Sequence, residues 1–144
     1  MTGAFLACMM VVGSYNRLPP KLLPAIQAVE GGRVGLVVPD PNGTSDLGVM
    51  QINSRWVPAL ARFTGWTQAA VFRDLVGDAC FNIAAAGAIL RLYVREDDGN
   101  LLKAIGDYHS HTPLLHNRYL HQVLTAATRV RTPPVTVRLR MSPP

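Results

Sequence analysis

The sequence lacks any run of about 20 consecutive apolar residues, the length that a helix needs to cross a lipid bilayer. The chain has 144 residues and is 49% hydrophobic, which is enough for one sizeable core and too little for two. We therefore predict a single domain with no membrane span, and we expect a monomer.

Acidic residues are also few, because 9 aspartates and glutamates stand against 14 lysines and arginines, a net charge of +5. Such a chain attracts polyanions, whether nucleic acid, anionic lipid or the bacterial wall polymer. A nucleic-acid-binding domain needs arginines aligned on one recognition helix. Here they are scattered or lie near the C-terminus, so we expect no nucleic-acid partner. Prolines interrupt that C-terminal region, and we predict a domain over 1–130 and a basic, Pro-rich tail over 131–144.

Cysteine is scarce as well. Cys8 and Cys80 are the only two, too few and too far apart for a zinc site of the usual spacing. They are compatible with one disulfide or with two buried thiols, and the residues alone do not decide between these.

The apolar segment from Gly3 to Val12 resembles the middle of a signal peptide. No lysine or arginine precedes it, however, and no small-x-small cleavage site follows it. We therefore predict that Ala4 to Tyr15 form a first helix and that any export signal is absent from this sequence.

Apolar residues recur at helical spacing through most of the remaining chain. Those at 22–29 predict a helix that ends at Glu30, because glycine follows and is an ordinary helix stop. From Arg33 to Ser45, β-branched residues and turn formers predict a short β-hairpin or an irregular β-like loop. Helical spacing returns at Met50, Ile52, Trp56 and Leu60, then near 70–75, and over 78–94, 101–108 and 113–130. The predicted class is α+β, predominantly α.

Glu30 is the acidic residue best suited to proton transfer. It follows the apolar residues Ala28 and Val29 at a helix end, where the helix dipole disfavours negative charge and a raised pKa is expected. A carboxyl group that stays protonated near neutral pH can serve as a general acid, although a glutamate at a helix end is more often a solvated surface residue. Asp40 and Asp46 are candidates for a second carboxylate, and each is equally suited to a turn or a cap.

A specific motif occupies residues 46–56, which read Asp-Leu-Gly-Val-Met-Gln-Ile-Asn-Ser-Arg-Trp. It resembles the signature of the lysozyme-like superfamily, in which Gly-x-Met-Gln or Gly-x-x-Gln-Ile-Asn lines a sugar cleft. With Glu30 upstream and residues 80–83 and 108–110 downstream, the chain resembles the lytic transglycosylases associated with secretion and conjugation systems. The resemblance spans residues 8 to about 123 and implies a lysozyme-like domain with its small β element beside the cleft.

The resemblance implies that Glu30 takes the place of the single catalytic glutamate of that family. This residue protonates the glycosidic oxygen between N-acetylmuramic acid and N-acetylglucosamine in peptidoglycan. It then acts as a base on the C6 hydroxyl of the muramic acid, which closes a 1,6-anhydro ring without water. The reaction needs neither a metal nor an organic cofactor.

The resemblance also implies which side chains contact the sugar. Gln51 and Asn53 have amides suited to N-acetyl and hydroxyl groups, and Met50 is expected to form an apolar wall unless it belongs to the core. Tyr108 is expected close to the acid, where its hydroxyl bonds the carboxylate or the sugar, unless it is an ordinary core aromatic. The full predicted set is Asp46, Met50, Gln51, Asn53, Tyr108, His109 and Ser110. We interpret the neighbouring histidines as a cleft rim and not as metal ligands.

The chain departs from the transglycosylase pattern at two positions. Gly31 stands where many relatives have a serine after the glutamate. Asp46 stands where animal-type lysozymes have their second carboxylate, which permits hydrolysis instead of ring closure if the two acids face each other across the cleft. A hydrolytic muramidase is therefore the alternative enzyme, and a non-catalytic wall-binding assembly module is the alternative outside enzymes.

The cysteines match the relatives, which have one cysteine in the first helix and one before an Asn-Ile pair. The resemblance thus implies a Cys8–Cys80 disulfide and an oxidising location, periplasmic or exported, although free thiols would fit a reducing cytosol. It implies peptidoglycan strands as the partner and allows a secretion or conjugation machinery as a second one.

Overall fold

The computed structural model describes residues 3–132 of the chain, and these form seven α-helices and one small antiparallel sheet. The predicted α+β, predominantly α class is confirmed. The predicted tail lies outside the described residues apart from its first two positions. The helices are α1 (Gly3–Tyr15), α2 (Leu22–Glu30), α3 (Val57–Thr64), α4 (Gln68–Gly77), α5 (Ala79–Glu96), α6 (Leu101–His109) and α7 (Pro113–Arg129). The strands are β1 (Val37–Pro39), β2 (Ser45–Leu47) and β3 (Ile52–Asn53), and a 3-10 turn (Ser54–Trp56) leads into α3.

Most of the predicted helices are confirmed with small shifts at their ends, and α2 ends at Glu30 as expected. One prediction is wrong, because the helix expected from Met50 begins only at Val57 and residues 52–53 form β3. Gly48 and Gln51 have left-handed backbone conformations, with φ of 69° and 51°. A right-handed helix cannot pass through two such residues, so the apolar spacing there reflects a buried turn.

The sheet is a meander in which β2 is the central strand. Asp46 lies opposite Val38 of β1 on one side and opposite Asn53 of β3 on the other. The predicted hairpin is therefore present. A third strand follows it, in a segment that the sequence analysis predicted to be helical. This pairing brings Asp46 and Asn53 side by side.

Helix α5 forms the centre of the fold and packs against α1, α2, α4 and α6. Ile83, Ala86 and Leu90 are fully buried along one face, at the spacing that aligns residues on a helix. Each large side chain buried in this way stabilises the fold by about 1.5–3 kcal/mol.

The implied disulfide is present and joins Cys8 of α1 to Cys80 in the first turn of α5. The Cα atoms are 5.6 Å apart, and 72 positions separate the two residues in sequence. A crosslink that closes so long a loop stabilises the folded chain by about 4 kcal/mol, because it restricts the unfolded state. It holds the first helix on the central one.

No single helix among the described residues is long and apolar enough to cross a membrane. Only α4 and α5 taken together reach that length and composition, and they are bent by 107° relative to each other.

Candidate functional site

A cleft of about 440 Å³ opens where the end of α2, the sheet, and the ends of α6 and α7 meet. Its volume lies in the range of sites that bind small molecules or single sugar units. All the predicted site residues except Met50 line it. The lining residues are Glu30, Asp40, Pro41, Asn42, Asp46, Gln51, Ile52, Asn53, Arg55, Trp56, Ile89, Tyr108, His109, Ser110 and Leu115.

Glu30 is half-buried at the C-terminal end of α2 and reaches this cleft. Burial raises the pKa of its carboxyl group from 4.5 to about 7, with a smaller contribution from the negative charge of Asp46. The raised pKa agrees with expectation, but the largest cause is loss of water around the group. A carboxyl with this pKa is present in both protonated and ionised forms at neutral pH, as general acid and base catalysis requires.

The side chain that touches Glu30 is Tyr119 of α7, which sequence analysis did not identify. Its hydroxyl donates a hydrogen bond to Glu30 Oε1 at 2.8 Å, and this bond opposes the rise in the Glu30 pKa. The Tyr119 ring is 3% exposed and stacks on His109, with ring centroids 4.7 Å apart and planes 8° apart. Tyr119 therefore stabilises the carboxylate form of Glu30 without contacting solvent.

Tyr108 has a different partner from the one that the resemblance implied. Its hydroxyl donates to the backbone carbonyl of Met50 at 3.1 Å, so the hydrogen bond to the acid belongs to Tyr119 instead. Met50 itself is 0% exposed, and the prediction that its side chain forms a sugar-facing wall is wrong. Together these two residues fix the turn before β3 against the end of α6.

Asn53 is occupied by contacts within the protein. Its amide nitrogen lies 3.0 Å from Asp46 Oδ1, 3.1 Å from Asp40 Oδ2 and 2.9 Å from Thr44 Oγ1. Its carbonyl oxygen accepts from the backbone N–H of Arg55 at 3.0 Å. Asp40 and Asp46 form what we call the acidic wall of the cleft. Although Asn53 lines the cleft, its amide holds this wall and has no unused donor for a sugar, in contrast to the predicted role.

Asp46 lies on this acidic wall and shares the cleft with Glu30. Its pKa is raised, chiefly by burial and further by Asp40, while the hydrogen bond from Asn53 and the charges of His109 and Arg55 oppose the rise. Gln51, in its left-handed turn, uses one amide hydrogen on the Gly48 carbonyl at 2.9 Å. The carboxyl groups of Glu30, from α2, and Asp46, from β2, thus line the same cleft.

No family model and no curated protein matches this chain. What the cleft can do chemically therefore follows from its own side chains. Within residues 3–132, no group of three or more His, Cys, Asp or Glu side chains is arranged to hold a metal ion. The groups that can move protons in the cleft are the carboxyls and His109.

Two glycines let the end of α2 approach the turn before β3. A Cβ on Gly32 would collide with the backbone of Gly48 and Val49, and a Cβ on Gly48 would collide with Leu75 and Asn82. The backbone of Gly32 therefore packs directly on this turn. That close approach brings Glu30 beside the acidic wall and explains Gly32, whereas Gly31 has the left-handed conformation, with φ of 64°, that ends α2.

The packing of α7 on α6 depends on a buried carboxylate. Asp107 is 4% exposed; its Oδ1 lies 2.9 Å from His116 Nδ1, and Lys103 Nζ donates to its Oδ2 at 3.3 Å. Burial acts to raise the pKa of Asp107, but the bond from Lys103 and the charge of His111 hold it below its usual value. Because Tyr119 follows His116 by one helical turn, the contact between Asp107 and His116 lies on the same side of α7 as Tyr119.

Replacing Tyr119 with phenylalanine is expected to raise the pKa of Glu30 by about one further unit, because a hydrogen bond to a charged group is worth about 1.5–3 kcal/mol. The measurement is an NMR titration of the Glu30 carboxyl carbon. Tyr108→Phe is the matched control, since its hydroxyl bonds the Met50 carbonyl, and it should leave the titration in place. An unchanged midpoint in Tyr119→Phe would contradict the contact.

Proposed function

We propose that the chain is a peptidoglycan lytic transglycosylase, in which Glu30 is the single acid and base. The observation that carries the proposal is a half-buried carboxyl group with a pKa of about 7 in a cleft that is large enough for sugar units. Its support from sequence is the motif over 46–56, six of whose residues line the same cleft.

In the proposed reaction, protonated Glu30 gives its proton to the glycosidic oxygen that links N-acetylmuramic acid to N-acetylglucosamine. The bond from muramic acid C1 to that oxygen breaks, and positive charge develops on C1 and the ring oxygen. The ionised Glu30 then removes the proton from the muramic acid C6 hydroxyl, whose oxygen bonds to C1. The proton lost in the first step is recovered in the second, and no water is consumed.

Tyr119 has a defined part in this cycle. As a donor to Oε1 at 2.8 Å, its hydroxyl bonds more strongly to the carboxylate than to the neutral acid. It therefore favours departure of the proton, while burial favours its return. The balance of the two keeps the pKa of Glu30 near neutrality, where both steps are accessible.

A hydrolytic muramidase is the second candidate, and the position of Asp46 supports it. This carboxyl group lines the same cleft and is close enough to influence the Glu30 pKa. An ionised Asp46 could stabilise the positive charge at C1 or form a covalent bond with it, after which water completes hydrolysis. The Asn53 amide already bonds Asp46 Oδ1 at 3.0 Å, and the remaining motifs resemble those of bacterial transglycosylases, so we favour the lyase.

The mass of soluble fragments released from purified cell wall is the test. Ring closure gives fragments that end in 1,6-anhydromuramic acid, whereas hydrolysis adds one water and leaves a reducing end. We expect the anhydro product from the wild-type chain, and we expect Asp46→Asn to leave the type of product unchanged. Reducing ends would support the muramidase instead, and an intact wall with no fragments would overturn both enzymatic proposals.

The disulfide between Cys8 and Cys80 supports export to an oxidising compartment such as the periplasm. Peptidoglycan is accessible there, so the proposed location and the proposed substrate agree. A secretion or conjugation machinery remains a proposed second partner.

A further inference from the structure

Within residues 3–132, the lining of the cleft has several carboxyl groups and one side chain with a permanent positive charge. Glu30, Asp40 and Asp46 supply the carboxyls, and Arg55 supplies the guanidinium. His109 is the other side chain on the lining that can carry a positive charge. Because an arginine stays protonated at any physiological pH, Arg55 is a fixed cation in a largely acidic site.

Arg55 is held at this position by the 3-10 turn between β3 and α3. Its backbone N–H donates to the side chain of Asn53 at 3.0 Å, and its guanidinium carbon lies 5.9 Å from the ring centroid of Trp56. Burial raises the pKa of Tyr93, and the charge of Arg55 together with a hydrogen bond between the two side chains opposes the rise. Aromatic rings therefore support the cation while leaving its residue exposed to the cleft.

Among residues 3–132, Arg55 forms no salt bridge with a carboxylate within 4.0 Å. The nearby acids are held elsewhere, because Asn53 and Thr44 bond the side chain of Asp40, and Asn53 bonds Asp46. One donor of the Arg55 guanidinium is directed at Tyr93, and its other N–H donors are left for a group from outside the chain. A planar guanidinium fits a carboxylate through two parallel hydrogen bonds.

We propose that Arg55 binds a carboxylate on the muramic acid substituent of the glycan, so that the cleft selects peptidoglycan over neutral polymers of N-acetylglucosamine. This inference rests on the proposed function and names the substrate feature that the site reads. N-acetylglucosamine is uncharged, whereas muramic acid carries a lactyl group that ends in a carboxylate or in a peptide with carboxylates of its own.

The charge of the acidic wall also affects which sugar of the glycan strand occupies each position in the cleft. Asp40 and Asp46 repel an anionic substituent when ionised, and Arg55 attracts it, so the substituent is more stable beside Arg55 than beside the two acids. Muramic acid and glucosamine alternate along the strand. Fixing one substituent at Arg55 therefore decides which of the two kinds of glycosidic bond lies at Glu30.

The experiment measures dissociation constants by calorimetry in a Glu30→Gln background, which prevents turnover. Three probes of equal length are used: glycan strands that bear peptides, the same strands after amidase treatment, which keep only lactyl carboxylates, and oligomers of N-acetylglucosamine. Arg55→Gln removes the charge. Arg62→Gln is the matched control, because Arg62 is exposed on α3 and does not line the cleft.

We expect Arg55→Gln to weaken binding of carboxylate-bearing strands by about tenfold, the size of one charge-assisted contact, and to leave N-acetylglucosamine oligomers unaffected. The loss should shrink as salt is raised. A loss on peptide-bearing strands alone assigns the peptide carboxylate, and a loss on amidase-treated strands alone assigns the lactyl carboxylate. A loss on both charged probes shows that Arg55 binds a carboxylate of either source. Equal losses on charged and neutral probes, or no loss on any, would overturn the inference.

The binding test of Arg55 can fail independently of the fragment-release test of the proposed function. If the wild-type chain releases no wall fragments but selectivity through Arg55 persists, the enzymatic proposal fails and the carboxylate contact stands. If fragments are released and Arg55→Gln binds all probes as well as its parent does, only the carboxylate contact fails.

Discussion

Replacing Glu30 with glutamine is expected to reduce release of wall fragments by between about 10² and 10⁴, the usual contribution of a general acid. Binding to insoluble wall should remain, because glutamine has the shape of glutamate and still accepts from Tyr119. Fragment release measured by mass spectrometry and binding measured by cosedimentation test these two statements. Release that survives the substitution would remove the acid role from Glu30.

The same substitution is expected to stabilise the fold at alkaline pH. The pKa of Glu30 is about 7 in the folded chain and close to 4.5 when unfolded, so the folded state retains a proton that the unfolded chain has already released between these values. Stability therefore falls as pH rises through this window, by about 3 kcal/mol in total at 1.36 kcal/mol per unit. Below pH 4.5 both states are protonated and the penalty is absent.

Denaturant unfolding at pH values above 7 and below 4.5 measures this difference. Glu30→Gln should gain about 3 kcal/mol at the higher pH and nothing at the lower one. Glu96, the other glutamate of the chain, is exposed at the end of α5, and Glu96→Gln should change neither activity nor stability. A gain of the same size at both pH values would show that burial of charge is not its cause. The expected result is the trade of stability for function that is common at active sites.

Replacing Asn82 with alanine is expected to have the largest effect on stability. Asn82 is 0% exposed; it accepts from the Met50 N–H at 2.8 Å and donates to the Leu47 and Leu75 carbonyls at 2.8 and 2.7 Å. Removal leaves three buried backbone groups without partners, at about 1–3 kcal/mol each. We expect a loss of about 4 kcal/mol, a large part of the stability of an ordinary domain.

Activity should fall too, even where the variant stays folded, because Asn82 holds the turn that carries Gln51. Asn82→Asp keeps the shape but loses the donors, so it should be destabilising by a similar amount. Asn100→Ala is the control, since Asn100 is an exposed cap of α6 and should cost about 1 kcal/mol. Equal small losses in all three variants would contradict the bracing role of Asn82.

Several features of the site were predictable because they depend on neighbours in sequence. The end of α2 at Glu30 follows from apolar spacing and from the glycines behind it. The β element follows from β-branched residues and turn formers over 33–45. Local patterns of this kind predict where an element begins or ends, but not what its side chains meet.

Tyr119 shows what local patterns leave out. Tyr119, Val123 and Ala126 recur at helical spacing, so the inner face of α7 could have been recognised. Nothing in that spacing indicates that α7 packs on α2, 89 positions away, with the tyrosine hydroxyl on the carboxylate. Met50 and Asn53 were misjudged for a related reason. The Met50 side chain is fully buried in the core, and Asp46 occupies the Asn53 amide that a sugar was expected to use.

The amino-acid sequence by itself determined the helix-rich class, the position of Glu30 at a helix end and the motif that follows the β element, because each depends on residues close together in the chain. The tertiary structure decided the burial that raises the pKa of Glu30 and the tyrosine that contacts it. It also placed Arg55 in the cleft without a salt bridge among residues 3–132. These depend on distances between elements far apart in sequence, and electrostatic energies follow such distances and the loss of water between them.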